Sequence, residues 1–175
     1  QLRLLLNAAD LNSWNRKFHD GGLALCEYAA DQYALAIFHG DVGTGKTAAA
    51  ECIANRLVRD SKTDDSILFK LSTRVRGSGK VGEMGTLLSE AIQKVTQSAG
   101  RGRRAILLID EGDSLASARS QEHNHHEDRV AVNTLIQGID DLRRQGGRVL
   151  TILCTNRVST LDPALLRRAA IIEEF

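Results

Sequence analysis

Gly40-Asp41-Val42-Gly43-Thr44-Gly45-Lys46-Thr47 is the stretch on which the reading of this chain turns. It satisfies G-x-x-x-x-G-K-[ST] at every position, the pattern of a phosphate-binding loop. Its glycines let the backbone wrap an anion so that successive N–H groups point inward at the positive end of the following helix. Lys46 supplies a point charge to β- and γ-phosphates, and the Thr47 hydroxyl reaches Mg²⁺. The nucleotide-binding set is therefore Asp41, Val42, Gly43, Thr44, Gly45, Lys46, Thr47 and Ala48, with ATP and Mg²⁺ as the expected cofactors. An apolar run leads in and an alanine-rich helical run leads out, a context that a ligand-free glycine turn does not need.

A phosphate cradle alone binds a nucleotide without determining its fate. Ile106-Leu107-Leu108-Ile109-Asp110-Glu111 supplies the complement. An apolar strand delivers Asp110 to the carboxyl edge of the sheet, where open α/β sheets bind ligands. There Asp110 joins Thr47 as a candidate metal residue, commonly through water. Glu111, one residue on, is placed to polarise the attacking water. At the end of the next core strand, Thr151-Ile152-Leu153-Cys154-Thr155-Asn156 presents an amide at the same height. Asn156 either holds that water or the γ-phosphate, or is a turn residue.

Around these motifs, short apolar runs alternate with helical patterns, the signature of a parallel sheet covered by helices. Strands are predicted at 34–39, 66–71, 105–109, 148–154 and 170–175, each nearly continuous in apolar residues, as strands covered on both faces are. Helices are predicted at 46–59, 84–97, 128–145 and 163–168. Asp162 is set to cap the last, with Pro163, the single proline, at its first position. The first thirty residues read as helical or irregular. A chain of 175 residues is one domain's worth. It starts at Gln1 rather than Met and stops at Phe175, which reads as an excerpt of something longer. A net charge of +1 gives no electrostatic footprint for nucleic acid. No apolar run is long enough to span a membrane. Cys26, Cys52 and Cys154 are widely spaced and read as buried, reduced thiols of a cytoplasmic protein.

Asp110-Glu111, Asn156 and Leu161-Asp162-Pro163-Ala164-Leu165-Leu166-Arg167-Arg168 together resemble the AAA+ ATPase family. Glu111-Gly112-Asp113-Ser114-Leu115-Ala116-Ser117-Ala118-Arg119 is similar to the pachytene-checkpoint type, remodelers of HORMA-domain proteins. So are Arg129-Val130-Ala131-Val132-Asn133-Thr134-Leu135, the Ile139-Asp140 pair and Arg168-Ala169-Ala170-Ile171. Cys154-Thr155-Asn156-Arg157 most resembles the bacterial members that accompany cyclic-nucleotide antiphage systems. The resemblance implies an α/β fold, a three-layer P-loop NTPase sandwich with five parallel strands in the order 5-1-4-3-2. It implies a large ATPase subdomain over 34–175, preceded by a lead-in segment over 1–33. A small helical lid and an N-terminal substrate domain would lie outside this sequence. It also implies a Mg²⁺-dependent ATPase working as a homo-hexameric ring on a HORMA-domain partner. Arg167 or Arg168 would reach the neighbour's nucleotide as an arginine finger. The second arginine that the family carries three residues later is Ala170 here.

Weaker signals remain. Gly77-Ser78-Gly79-Lys80-Val81-Gly82 fits G-x-G-x-x-G, but the acid a dinucleotide site wants about 20 positions later is missing. Lys80-Val81-Gly82-Glu83 instead resembles the family's first pore loop, with Lys80 where an aromatic normally stands. Glu122-His123-Asn124-His125-His126-Glu127 reads as a second pore loop rather than a zinc site, since nothing rigid holds those imidazoles. Arg101, Arg103 and Arg104 read as a solvated basic loop. The rival function is an AAA+ initiator or a clamp or helicase loader acting on nucleic acid. Aromatic residues at 4% leave few stacking platforms for it. A steep salt dependence of ATP-dependent DNA binding would favour the rival.

Overall fold

Alternation decides the architecture. In a strand, successive side chains point to opposite faces, so a continuous apolar run arms both faces of a sheet. The computed structural model describes residues 1–60, 66–72, 83–99, 103–113 and 126–175. Its strands are β1 (Leu35–His39), β2 (Ile67–Ser72), β3 (Ala105–Asp110), β4 (Val149–Thr155) and β5 (Ile171–Glu174). They pair in parallel in the order β2-β3-β4-β1-β5, which is 5-1-4-3-2 read from the other edge. Leu35 and Ile37 of β1, Leu107 and Ile109 of β3, and Leu153 of β4 feed one core. Ala36, Phe38, Ile106, Leu108, Leu150 and Ile152 feed the other.

Helices close both faces. Among the described residues the helices are α1 (Leu2–Leu6), α2 (Ala8–His19), α3 (Ala24–Ala30), α4 (Lys46–Asp60), α5 (Glu83–Ser98), α6 (His126–Arg143) and α7 (Pro163–Leu166). On α4, Ala50, Ala54 and Leu57 recur at helical spacing and, with Leu6 of α1, cover one face. On the other, α5 contributes Leu88, Ile92 and Val95, and α6 contributes Val132, Leu135 and Ile139. The result is the three-layer sandwich. Among the described residues no helix is long and apolar enough to cross a membrane.

The lead-in is three short helices rather than irregular chain. Asn15, fully buried, closes the turn between α2 and α3. Its Nδ2 donates to the Leu23 carbonyl and its Oδ1 accepts from Leu23 N, both at 3.1 Å. Arg104 corrects the solvated-loop reading: it is 3% exposed and ion-paired with Asp10 of α2. The pairing gives Nη2 of a guanidinium buried beside β3 a charged partner, and Nη1 donates to the Arg103 carbonyl at 3.5 Å. Strand β5 also departs from expectation. Among the described residues it pairs only with β1, at the sheet edge, and Ile172 and both glutamates are exposed. Carboxylates placed at an edge stay in water.

All three cysteines are free, but Cys52 is exposed. Ala50 and Ala54 face the sheet, so residue 52 lies on the far side of α4. Burial pushes the Cys154 thiol up to about 12, with the nearby Asp110 charge adding to the effect. At pH 8 such a thiol is thiolate to about one part in ten thousand. A short iodoacetamide pulse is expected to label Cys52 and spare Cys154 until the protein unfolds, read by peptide mass spectrometry.

Candidate functional site

The parallel register brings the carboxyl ends of β1, β3 and β4 to one edge, with His39 opposite Thr155 and Ile109 opposite Leu153. The chain leaves β1 through Gly40, whose φ is +143° and whose missing Cβ would sit 2.2 Å from the Phe175 carbonyl oxygen. That close approach leaves room for no side chain. Gly43 and Gly45 follow at φ +85° and +93°, a conformation L side chains rarely adopt. Helix α4 then starts at Lys46, so its unpaired N–H groups and positive dipole end face the loop.

Lys46 is 7% exposed, and its ammonium donates to the carbonyls of Gly40 (2.8 Å) and Asp41 (2.6 Å). These acceptors are neutral. A phosphate offers the buried cation a charged one, which makes the stronger, charge-assisted bond. One helical step on, Thr47 Oγ1 donates to Asp110 Oδ1 at 2.8 Å. The two oxygens come from elements 63 residues apart. They are hard donors at about the separation of adjacent ligands on an octahedron of radius 2.0–2.1 Å, so the pair fits Mg²⁺. Among the described residues no cluster of three or more His, Cys, Asp or Glu forms a protein-only metal cage. A Mg²⁺ held by one carboxylate, one hydroxyl, phosphates and water does not require one.

Asp110 ends β3, and its Oδ1 also accepts from Glu111 N at 3.0 Å. Glu111 itself has φ +56°, left-handed for a non-glycine residue. The strand direction breaks there, and the side chain leaves the alternation of β3. Lys70 of β2 stands near the same carboxylate, 4.0 Å from Asp110 Oδ2, and pairs with Glu51 of α4 at 2.5 Å. The Glu51 hydrogen bond leads in raising the Lys70 ammonium above its ordinary value. Asn156, just past β4, is exposed and donates from Nδ2 to Asp113 Oδ2 at 3.3 Å.

The two arginines after α7 differ. Arg168 grips Asp140 of α6 in a two-pronged pair, Nε to Oδ1 at 2.7 Å and Nη2 to Oδ2 at 2.9 Å. It also lies 5.6 Å from the Tyr33 ring centre. The Arg168 hydrogen bond is the main reason the Asp140 carboxyl sits below its ordinary value. Arg167 is exposed, and its Nε donates to the Pro163 carbonyl at 3.3 Å. Asp162 caps α7 as expected, accepting from Ala164 N at 2.8 Å.

The structure thus gathers the loop 41–48, Asp110, Glu111 and Asn156 along one edge. Lys80, Val81 and Gly82 of the expected first pore loop, and Glu122, His123, Asn124 and His125 of the expected second, lie outside the described residues. Sequence reasoning passed over Asp113, Lys70 and Glu51 as parts of the site. Asp113 had a signal, as a third acid directly after the strand that delivers Asp110 and Glu111. Lys70 and Glu51 had none, because only the sheet order brings β2 and α4 together.

A parallel five-stranded sheet with a phosphate loop after β1 and an Asp-Glu pair after β3 defines a P-loop nucleotide-binding domain. The family model for the ATPase family associated with various cellular activities (AAA) matches residues 36–175, and the chain belongs to that family. It is 70% identical over its full 175 residues to CD-NTase-associated protein 6 of Escherichia coli (strain KTE188), covering 59% of that protein. It is 41% identical to CD-NTase-associated protein 6 of E. coli (strain MS 115-1) over 99% of this chain and 58% of the relative. In the solved E. coli MS115-1 HORMA:CdnC:Trip13 complex, one chain matches with a TM-score of 0.83 and 39% identity. That match covers 99% of this chain and 58% of the other. Rhizobiales Trip13 matches with a TM-score of 0.66 and 32% identity, over 99% of this chain and 57% of its own. The chain therefore spans less than three fifths of the length of these relatives.

Proposed function

We propose that the protein is a Mg²⁺-dependent ATPase that works in the cytoplasm as a homo-hexameric ring. It converts hydrolysis into remodelling of a HORMA-domain protein within a bacterial cyclic-nucleotide antiphage system. The observation that carries the hydrolytic half is the 2.8 Å contact joining Thr47 of the phosphate loop to Asp110, with Glu111 adjoining it. The partner assignment is supported by the 70% identity to a CD-NTase-associated protein and the likeness to a chain of a HORMA:CdnC:Trip13 complex.

Each residue then has a role. Lys46 and the N-terminus of α4 hold the β- and γ-phosphates. Thr47 and Asp110 would hold Mg²⁺, which would supply positive charge to offset that of the phosphates. Glu111 takes a proton from water as its oxygen attacks the γ-phosphorus. The bond to the β–γ bridging oxygen breaks, and ADP and phosphate leave. Asn156 orients the water, and an arginine from the neighbouring subunit stabilises the charge that develops.

Glu111→Gln separates the steps. The amide keeps the shape and still hydrogen-bonds water but cannot take its proton. In the full-length protein ATP is expected to bind normally, while kcat falls at least about a hundredfold. Calorimetry and phosphate release measure the two; wild-type turnover in this variant refutes the role of Glu111.

A further inference from the structure

Asp113 lies two residues beyond Glu111 in the turn that leaves β3, and the hydrolytic roles assigned to Lys46, Thr47, Asp110, Glu111 and Asn156 make no use of it. Its carboxylate nevertheless gathers the donors at the end of β4. Oδ1 accepts from the Thr155 hydroxyl, from Asn156 N at 3.1 Å and from Arg157 N at 3.2 Å. Oδ2 accepts from Asn156 N at 3.2 Å and from Asn156 Nδ2 at 3.3 Å. One residue earlier, Gly112 N donates to the Cys154 carbonyl at 2.8 Å. The segment after Glu111 is thus fastened to four consecutive residues, 154–157, past the last paired position of the β3–β4 ladder.

The chemistry of this contact is specific to a carboxylate. Two backbone N–H groups, a hydroxyl and an amide NH₂ converge, and only an acceptor with two oxygens and no hydrogen meets them all. The same charge orients the Asn156 amide. It repels Oδ1 and attracts Nδ2, so the donor end is held at Asp113 and the acceptor end is left for water.

The geometry points to Asp113 as a positioning residue for ATP hydrolysis, its carboxylate locking the turn 155–157 and setting the Asn156 amide relative to Glu111. This rests on the reading that Asn156 orients the attacking water. On this reading Asp113 acts through Asn156 and the turn that carries it.

In the full-length protein, Asp113→Asn is expected to lower kcat about tenfold or more, since small misplacements at a reacting centre are costly. KM for ATP should stay within about twofold, because the phosphates are held by the loop after β1 and not by this turn. Asn156→Ala should lose at least as much. The double variant should then fall no more than about twofold below Asn156→Ala alone. Hydrogen exchange of the peptide containing Asn156 and Arg157 should be slow in the wild type and faster in Asp113→Asn.

Wild-type kcat in Asp113→Asn overturns the inference, and so do losses that multiply in the double variant. If Asn156→Ala turns over at the wild-type rate while Glu111→Gln does not, the reading of Asn156 fails and this one with it. If Asn156→Ala is impaired and Asp113→Asn is not, only this inference fails. Should Asp113→Asn not fold, Asp113→Glu keeps the charge but moves it by one methylene. It is judged by the same criteria in both backgrounds.

Discussion

Lys46→Ala is expected to abolish ATP binding, which calorimetry on the full-length protein would read as an affinity loss of about a thousandfold or more. The size derives from where the ammonium sits. It is 7% exposed, on the first residue of α4, and its hydrogen bonds go to the loop's own groups, the carbonyls of Gly40 and Asp41 and the Thr44 hydroxyl. A cation so buried is held ready for a charged ligand, and two charge-assisted bonds at about 1.5–3 kcal/mol each account for the expected loss. Removing the side chain also takes away three hydrogen bonds that brace the loop. Thermal denaturation without nucleotide separates the two effects. A large fall in Tm assigns part of the loss to the loop's fold, and an unchanged Tm assigns it to the phosphates. Unchanged ATP affinity would sink the phosphate assignment altogether.

Much of the site was legible because it is local. The spacing of Gly40, Gly45, Lys46 and Thr47 is dictated by phosphate geometry, and the apolar runs of β1, β3 and β4 are dictated by two covered faces. Both survive in a bare sequence. The order of the strands came from resemblance, since nothing in β2 or β5 states its neighbour. Edges were harder. Ile171 and Ile172 read like core residues, yet Ile172 is 45% exposed on β5, the edge strand of the described sheet. Arg104 shows the converse: an arginine in a basic run is buried because Asp10, 94 residues earlier, meets it. Asp113 is the instructive case. In the sequence it stands only within the run Glu111–Arg119, and its role emerges from the donors that β4 brings to it. Contacts across the sheet carry no periodicity, so they stay invisible until the chain is folded.

The arginine pair bears on assembly, and its expected effects are the largest. A finger contacting the transition state contributes about 10³–10⁵ in rate. If Arg167 or Arg168 acts on the neighbour's nucleotide, its alanine variant should bind ATP yet hydrolyse it slower by a factor in that range. The two start from different positions. Arg168 is held within its own chain by Asp140 at 2.7 and 2.9 Å, and must exchange that carboxylate for phosphate to act in trans. Arg167 gives up only the Pro163 carbonyl at 3.3 Å. Mixing decides between them. An arginine variant retains its phosphate loop, and a Lys46→Ala subunit retains its arginines, so a ring holding both has interfaces with every part present. Activity regained on mixing identifies the trans residue. Loss of activity with a lowered Tm and no regain marks a residue that serves the fold of its own chain, as the Asp140 pairing predisposes Arg168 to do. If neither variant regains activity in rings shown by mass spectrometry to be mixed, the pair is structural and the charge at the γ-phosphate is stabilised by other groups.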